Sequence, residues 1–210
     1  MKIVRLALAA LAFTSLSAHA GLTTYAPWDT ALPGLAGVQF NVQSSTTASR
    51  NLNGTIAMGA HGYKNGVTLG NDGVSTYYAK GGMYETNRAN WSFDYAWDIS
   101  KCIGCSVQLW VDVDPTTGVD FKQLALVSPT AQTYAESWNM EMAFIDGALY
   151  NFDPFSPSST VFSLRLIGGQ NNGILARSDI TVNVPEPGSM ALLSLGLAAA
   201  GIVARRRRKA

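Results

Sequence analysis

The chain alternates apolar and polar residues in six short runs, and a period of two is typical of β-strands with one buried face. In the longest run, Trp91–Ile99, every second residue is aromatic or apolar, which places Trp91 and Trp97 in the predicted core. The other runs are Val38–Val42, Val107–Val113, Trp138–Phe144, Phe162–Leu166 and Ile180–Val184. We expect Trp138 to be a core residue as well.

Turn-forming residues separate these runs at short intervals. They occur at Asn53-Gly54, Asn65-Gly66, Asn71–Gly73, Gly81-Gly82, Asp114–Gly118, Asp146-Gly147, Asp153-Pro154 and Asn171–Gly173. Short strands with frequent turns predict an all-β domain, built as an antiparallel sandwich or jelly roll. The sequence shows no strand–helix–strand rhythm, which argues against a parallel nucleotide-binding sheet.

The charges are distributed unevenly along the chain. Residues 21–184 contain eight basic and thirteen acidic side chains, a net charge of −5. Because binding to nucleic acid requires clustered Lys and Arg, this balance argues against a nucleic-acid partner. The other basic residues lie near the two ends, where the sequence differs in character from the middle.

Residues 1–20 have the pattern of a cleavable secretory signal peptide. Two cations, an eleven-residue apolar run and a small-residue cleavage site follow in order: Lys2 and Arg5, Leu6–Leu16, and Ala18-His19-Ala20. Eleven apolar residues are too few to span a bilayer, which favours a signal peptide over a membrane anchor. We therefore expect the mature chain to begin at Gly21, with an extracytoplasmic domain over residues 21–184.

A second apolar segment, residues 188–204, contains seventeen residues and no charge. At 1.5 Å per residue a helix of this length reaches about 25 Å, near the lower limit for crossing a membrane. Five cations follow at once: Arg205, Arg206, Arg207, Arg208 and Lys209. Such a cluster stops translocation, which leaves residues 21–187 outside. A buried core helix is disfavoured because the segment is apolar all round.

The tripeptide Pro185-Glu186-Pro187 precedes this segment, and its prolines favour a stiff, extended and exposed conformation that suits a processing enzyme. Together, residues 185–210 closely resemble the PEP-CTERM sorting signal of Gram-negative bacteria. The resemblance implies recognition by an exosortase, a polytopic membrane enzyme, after export by the secretion machinery. It also implies transient anchoring in the inner membrane and release to the cell surface or the extracellular polysaccharide matrix. A eukaryotic lipid-anchor signal is the nearest alternative interpretation of this segment. It is disfavoured because the apolar tail of such a signal should not end in five cations.

Cys102-Ile103-Gly104-Cys105 is the most conspicuous chemical motif of the middle region. A thioredoxin-like role would require a helix N-terminus, whereas this motif lies between two predicted strands. Haem attachment would require His at position 106, which is Ser106, and a zinc site would need more ligands. We interpret Cys102 and Cys105 as a structural disulfide that closes a turn.

Asp112, Asp114 and Asp120 surround a Pro-Thr-Thr-Gly turn, and carboxylates so spaced are candidate Ca²⁺ ligands. The spacing departs from an EF-hand, and Asp residues are also common in solvated hairpin turns. These residues therefore have two interpretations: a Ca²⁺ site, which would make calcium the protein's cofactor, or an ordinary solvated turn.

Two further groups of polar or aromatic residues bear on function. Trp110 falls on the polar face of its strand, where it would stack on a sugar ring or pack under a loop. Asp94 and Asp98 lie too far apart along one strand to form an acid/base pair, and we expect them to be solvated. His61, the one histidine left after signal cleavage, has no identifiable partner in the sequence.

These observations favour a non-catalytic exported protein of the cell surface or matrix. A carbohydrate-binding module with exopolysaccharide as its ligand is the main alternative. A secreted polysaccharide hydrolase is the second, because two distant carboxylates suffice for glycosidases.

Overall fold

The computed structural model describes residues 21–45, 51–64, 67–114, 118–126, 128–147, 149, 151–169 and 171–186. Within these ranges the chain forms one short helix, α1 (Ala26–Ala31), a 3₁₀ turn (Pro33–Leu35) and fourteen strands. The strands are β1 (Thr23–Thr24), β2 (Gln39–Ser44), β3 (Leu52–Gly62), β4 (Val67–Thr68), β5 (Gly70–Asn71), β6 (Thr76–Tyr78), β7 (Met83–Glu85), β8 (Arg88–Ala89), β9 (Trp91–Cys102), β10 (Ser106–Asp112), β11 (Phe121–Leu124), β12 (Thr133–Asn139), β13 (Ser158–Gly168) and β14 (Gly173–Val184).

The strands form two six-stranded sheets and one small hairpin. The first sheet has the order β1-β2-β3-β9-β12, with β4 paired to the end of β3. The second has the order β11-β10-β13-β14-β6-β5, and β7 and β8 form the separate hairpin. The predicted all-β class is confirmed. The pairing is antiparallel except between β6 and β14, which run parallel.

The two sheets pack face to face, and their inner faces form the main core. Phe93 of the first sheet stacks on Phe162 of the second with 4.3 Å between ring centroids. Trp91, Trp97 and Trp138 are all buried, as the alternation predicts. Aromatic rings thus fill the centre of the core, where each buries a large apolar area.

A second, smaller core covers part of the outer face of the first sheet. Trp28 of α1 is completely buried and packs 5.0 Å from Phe40 of β2, measured between ring centroids. The indole Nε1–H of Trp28 donates to the carbonyl oxygen of Leu35, which ties α1 to the following turn. Ala57 and Ala96 lie beneath this layer, so β3 and β9 are buried on both faces.

Burial on both faces explains why the alternation does not reveal β3. Its sequence is rich in small residues rather than alternating, as happens in strands with two covered faces. The predicted turn at Asn53-Gly54 is wrong: both residues lie within β3, where the register with β9 shifts between Asn53 and Thr55. The Asn-Gly pair marks an irregularity of the strand instead of a chain reversal.

The predicted strand Trp138–Phe144 is also placed wrongly. β12 ends at Asn139, and the N–H of Met142 donates to the Asn139 carbonyl in the turn that follows. The Asn139 side chain bonds to Ala89 and to the carbonyl of Trp91, which fixes the end of the strand. The apolar residues between Asn139 and Phe144 alternate with polar ones in the sequence, but they belong to a turn and not to a strand.

No helix in the described ranges is long and apolar enough to cross a membrane. The predicted signal peptide, with its cleavage residues Ala18 and Ala20, and the apolar segment 188–204 lie outside those ranges.

Candidate functional site

The sorting segment begins where the last core strand ends. Val184, the final residue of β14, is buried and pairs with Ser158. Pro185 and Glu186 follow immediately and are exposed. Pro187 and the predicted stop-transfer residues Arg205–Lys209 lie outside the described residues. The first two residues of the predicted motif are therefore accessible, directly beside the folded domain.

We call the end of the sandwich around Val184 the tether end. Gly81 and Pro154 lie there: a Cβ on Gly81 would lie 3.2 Å from Cγ1 of Val184 and 3.3 Å from the Pro154 carbonyl oxygen. The N–H of Ala79 donates to the Asn183 carbonyl at 2.9 Å, which holds the chain after β6 beside the end of β14. The Cys102–Cys105 turn and the β13–β14 hairpin lie at the opposite end.

A cleft of about 370 Å³ opens at the tether end. Its lining includes three tyrosines, two lysines and an amide: Tyr63, Tyr78, Tyr84, Lys64, Lys80 and Asn90. The Tyr63 and Tyr84 rings meet edge to face at 5.6 Å, and the Lys64 ammonium lies 5.6 Å from the Tyr84 centroid. Lys64 also pairs with Glu85. The cleft therefore combines aromatic surface with a polar, partly charged rim.

His61 and Asp94 form a buried pair, which corrects two sequence-based expectations. Nδ1 of His61 lies 2.7 Å from Oδ2 of Asp94, and the Asp94 side chain is completely buried. Asp94 is thus not solvated, and His61 does have a partner, contributed by the neighbouring strand. Gly59 stands opposite Asp94 in the register and has no side chain to compete with the carboxyl. The pattern within β9 carries no sign of this partner, 33 residues away.

The environment of the pair determines what it can do chemically. Burial raises the pKa of Asp94, and the hydrogen bond with His61 only partly opposes this effect. Among the described residues, no hydroxyl or thiol is hydrogen-bonded to His61. The His61 side chain is only 4% exposed. An enclosed pair of this kind suits a structural role, since a general base must come within reach of its substrate.

Cys102 and Cys105 are joined in a disulfide, with their Cα atoms 5.5 Å apart. The bond closes the turn between β9 and β10, which belong to different sheets. Gly104 in this turn has φ of +68°, a conformation that glycine adopts without strain. The disulfide therefore stabilises a connection between the two layers of the sandwich.

Of the three candidate calcium ligands, Asp112 binds the backbone of the other two. Oδ1 of Asp112 accepts the backbone N–H groups of Asp114 at 3.1 Å and Asp120 at 2.8 Å. Lys122 donates to the Asp120 carboxylate at 2.9 Å. Across the described ranges, which omit residues 115–117, no group of three or more acidic, His or Cys side chains is arranged to hold a metal. Calcium binding stays a prediction.

Trp110 lies on the outer face of the second sheet, next to two arginines. Its ring centroid is 4.6 Å from Cζ of Arg165, which in turn lies 5.4 Å from the Phe121 centroid. Cζ of Arg177 lies 5.8 Å from the same Phe121 ring. We call this surface, formed by Trp110, Phe121, Arg165 and Arg177, the arginine face. Arg165 lies over the Trp110 ring, on which a sugar would have to stack. Sugar stacking on Trp110 stays a prediction.

The comparison with known proteins concerns the C-terminal segment. No curated protein and no solved structure is similar to this chain. The family model of the PEP-CTERM protein-sorting motif matches residues 183–208. The match begins on the last two residues of β14 and extends through the predicted tripeptide, the apolar segment and four of the five cations. The chain therefore carries a PEP-CTERM protein-sorting motif, which implies export and processing by an exosortase.

Proposed function

We propose that this protein is a non-catalytic component of the cell surface or extracellular matrix, delivered there by exosortase processing. The position of the sorting-motif match at the end of β14 carries the proposal. Because the match starts at the boundary of the folded domain, processing after the tripeptide would release the sandwich with all its strands. The signal peptide predicted at the other end supports the same route.

The chemistry of the described residues supports the non-catalytic part of the proposal. Asp94, the carboxylate paired with the only mature-chain histidine, has no exposed surface. Oδ1 of Asp112 is already bound to two backbone N–H groups. A site for general acid–base catalysis needs such groups within hydrogen-bonding reach of a substrate.

Processing is tested by intact mass and cell fractionation in the native host and in a strain without exosortase. We expect a mature chain that begins at Gly21 and ends near Pro187, found at the surface or in the medium. Glu186→Ala should reduce processing, whereas Ser159→Ala, at an exposed position on β13, should leave processing unchanged. A mature product that still carries Arg205–Lys209 contradicts the proposal.

The arginine face favours a second function, the binding of an acidic polysaccharide. Arg165 and Arg177 stand directly opposite each other on β13 and β14. Like charges so placed destabilise a sheet, yet both guanidinium groups are held over aromatic rings. Burial and the nearby Arg177 lower the pKa of Arg165, so this cation gains from an anionic neighbour.

Carboxylate groups suit this surface because a guanidinium binds a carboxylate through two parallel hydrogen bonds. The Arg177 Nε already donates to Asp179 at 2.7 Å, whereas the Arg165 Nε contacts the neutral Ser163 hydroxyl. Arg165 is therefore the stronger candidate for contact with a ligand. A chain of uronic acid residues presents such carboxylates at regular intervals.

Polyuronate and neutral dextran distinguish the functions considered. If the arginine face binds acidic polysaccharide, the protein should bind polyuronate and not dextran. Arg165→Gln should then weaken polyuronate binding by about tenfold or more, the effect of losing one charge-assisted contact. Lys101→Gln, at an exposed position on β9 in the other sheet, serves as the charge-matched control. Equal binding by both variants removes this second function. Release of reducing sugar would support the hydrolase instead.

A further inference from the structure

The exposed aromatic side chains gather at one end of the sandwich. In the described part of the chain, the large aromatic residues that are classed as exposed are Tyr78 (50% exposed), Tyr84 (48%), Phe144 (48%) and Phe155 (62%). All four lie at the tether end. At the opposite end the exposed large apolar residues are aliphatic, Ile103 and Ile174.

The contacts of these residues establish their position. Tyr78 is in register with Asn183, one residue before the end of β14. Phe155 lies beside Gly82, with its Cε1 3.7 Å from where a Cβ on that glycine would be. Tyr84 lies two residues after Gly82 in the sequence, on the β7–β8 hairpin. Phe144 packs 4.8 Å from Trp138, near the end of β12. Separate segments of the chain thus contribute aromatic rings around the point where β14 ends.

The tether that follows β14 is short. Residues 185–187 alone separate Val184 from the apolar segment 188–204. A fully extended chain advances at most about 3.6 Å per residue, so the Cα atoms of Val184 and Gly188 are no more than about 14 Å apart. Before processing, the proposed function places segment 188–204 in the membrane. The tether end is then held close to the bilayer surface.

We propose that the tether end rests on the lipid–water interface until processing, with Tyr78, Tyr84 and Phe155 in contact with the headgroup region. Aromatic side chains favour this interface, where the ring is partly desolvated and a tyrosine hydroxyl stays hydrated. Lys80, also at this end, can extend its aliphatic stem along the surface while its ammonium remains in water. The inference rests on the proposed function, because that function supplies the anchored segment.

Electrostatic attraction does not explain the contact. Lys64 is paired with Glu85 at this end, and residues 21–184 carry a net charge of −5. The contact therefore depends on the aromatic rings. It should persist at high salt and in vesicles of neutral phosphatidylcholine, which separates it from binding through a basic patch.

The test uses the full chain reconstituted into phosphatidylcholine vesicles that contain a lipid-bound fluorescence quencher. One fluorophore is attached to Thr86→Cys at the tip of the β7–β8 hairpin, and in a matched sample to Asn171→Cys in the hairpin at the opposite end. Both positions are exposed turn residues, and the native cysteines are joined in a disulfide. We expect several-fold stronger quenching at position 86 than at position 171.

Substitution of the aromatic residues completes the test. Tyr78→Ser, Tyr84→Ser and Phe155→Ser together should weaken the quenching at position 86 several-fold, although the short tether still keeps this end nearer to the bilayer than position 171. Ile174→Ser should leave the quenching at both positions unchanged. Chains that float with the vesicles but show equal quenching at both positions overturn the membrane contact alone. Chains that do not float with the vesicles at all overturn both the contact and the anchoring on which the proposed function depends.

Discussion

Nδ1 of His61 lies 2.7 Å from Oδ2 of Asp94, and the two side chains are 4% and 0% exposed. They connect β3 to β9, the two central strands of the first sheet. Ser137 on β12 stands opposite Asp94 in the strand register. The pair therefore forms a polar link between two adjacent strands, buried from solvent.

Removing one member of this pair should destabilise the domain strongly. His61→Ala leaves a buried carboxyl without its main partner, and the expected loss is about 3–5 kcal/mol of unfolding free energy. The double variant His61→Ala/Asp94→Ala should lose less than the sum of the two single losses, because neither partner is then left alone. Urea unfolding of the four proteins measures this coupling, and additive losses would show that the pair is not coupled.

The same pair should make stability depend on pH in a defined direction. Burial raises the pKa of Asp94 above the ordinary value, so the folded protein holds this proton more tightly than the unfolded chain. The linked stability is present in full below the unfolded-state pKa of about 3.9. It is lost as pH rises through the higher folded-state pKa.

Asp94→Asn removes this titration and provides the comparison. We expect the Tm of the parent protein relative to that of Asp94→Asn to fall as pH is raised from 4 to 8. Working with the difference between the two proteins cancels the contributions of titrating groups that do not contact Asp94. Parallel Tm curves would show that Asp94 has the same pKa in the folded and unfolded states.

The Cys102–Cys105 bond should contribute stability and no redox activity. The double variant Cys102→Ser/Cys105→Ser should lose about 2 kcal/mol, the loop-closure value for so short a loop. Free-thiol labelling of the native protein should be low before reduction. Efficient turnover in an insulin-reduction assay would contradict the structural interpretation of this disulfide.

Alternation in the sequence predicts strands whose two faces carry different kinds of side chain. β9 is predicted although both its faces are covered, because aromatic residues on one face alternate with small or polar residues on the other. The remaining predicted strands include some with one covered face and one that meets solvent. β10 and β14 fit this description, since their buried and less buried positions alternate. β3 does not, because β2 and β9 flank it and both its faces are covered. A strand of small residues buried on both sides has no period of two to detect.

The candidate sites divide in a similar way. The sorting motif and the cysteine pair are local in sequence, so their residues could be identified before the fold was known. His61 with Asp94, and Arg165 with Trp110, come together only through strand pairing. The sequence of β9 predicts a solvated Asp94, because a polar residue stands at that position, and only the neighbouring strand provides the histidine. Such pairs depend on register, which the sequence of one strand does not determine.

Gly59 provides a sharp test of the packing between β2 and β3. A Cβ at this position would lie 2.7 Å from the carbonyl oxygen of Gln39 and 3.1 Å from the ring of Phe40. The carbonyl belongs to the backbone of β2 and cannot rotate away, so Gly59→Ala must push the strands apart. Overpacking of this kind costs about 1–3 kcal/mol.

Gly70→Ala is the matched control, because Gly70 also lies in a strand but has no atom within 4 Å of its Cβ position. That substitution should leave stability unchanged or raise it by about 0.4–1 kcal/mol, through reduced entropy of the unfolded chain. Urea unfolding of both variants gives the comparison. Gly59 also faces Asp94 across the β3–β9 register, so Gly59→Ala should in addition disturb the His61–Asp94 pair. If Gly59→Ala is as stable as Gly70→Ala, the close approach of β2 to β3 is absent in solution.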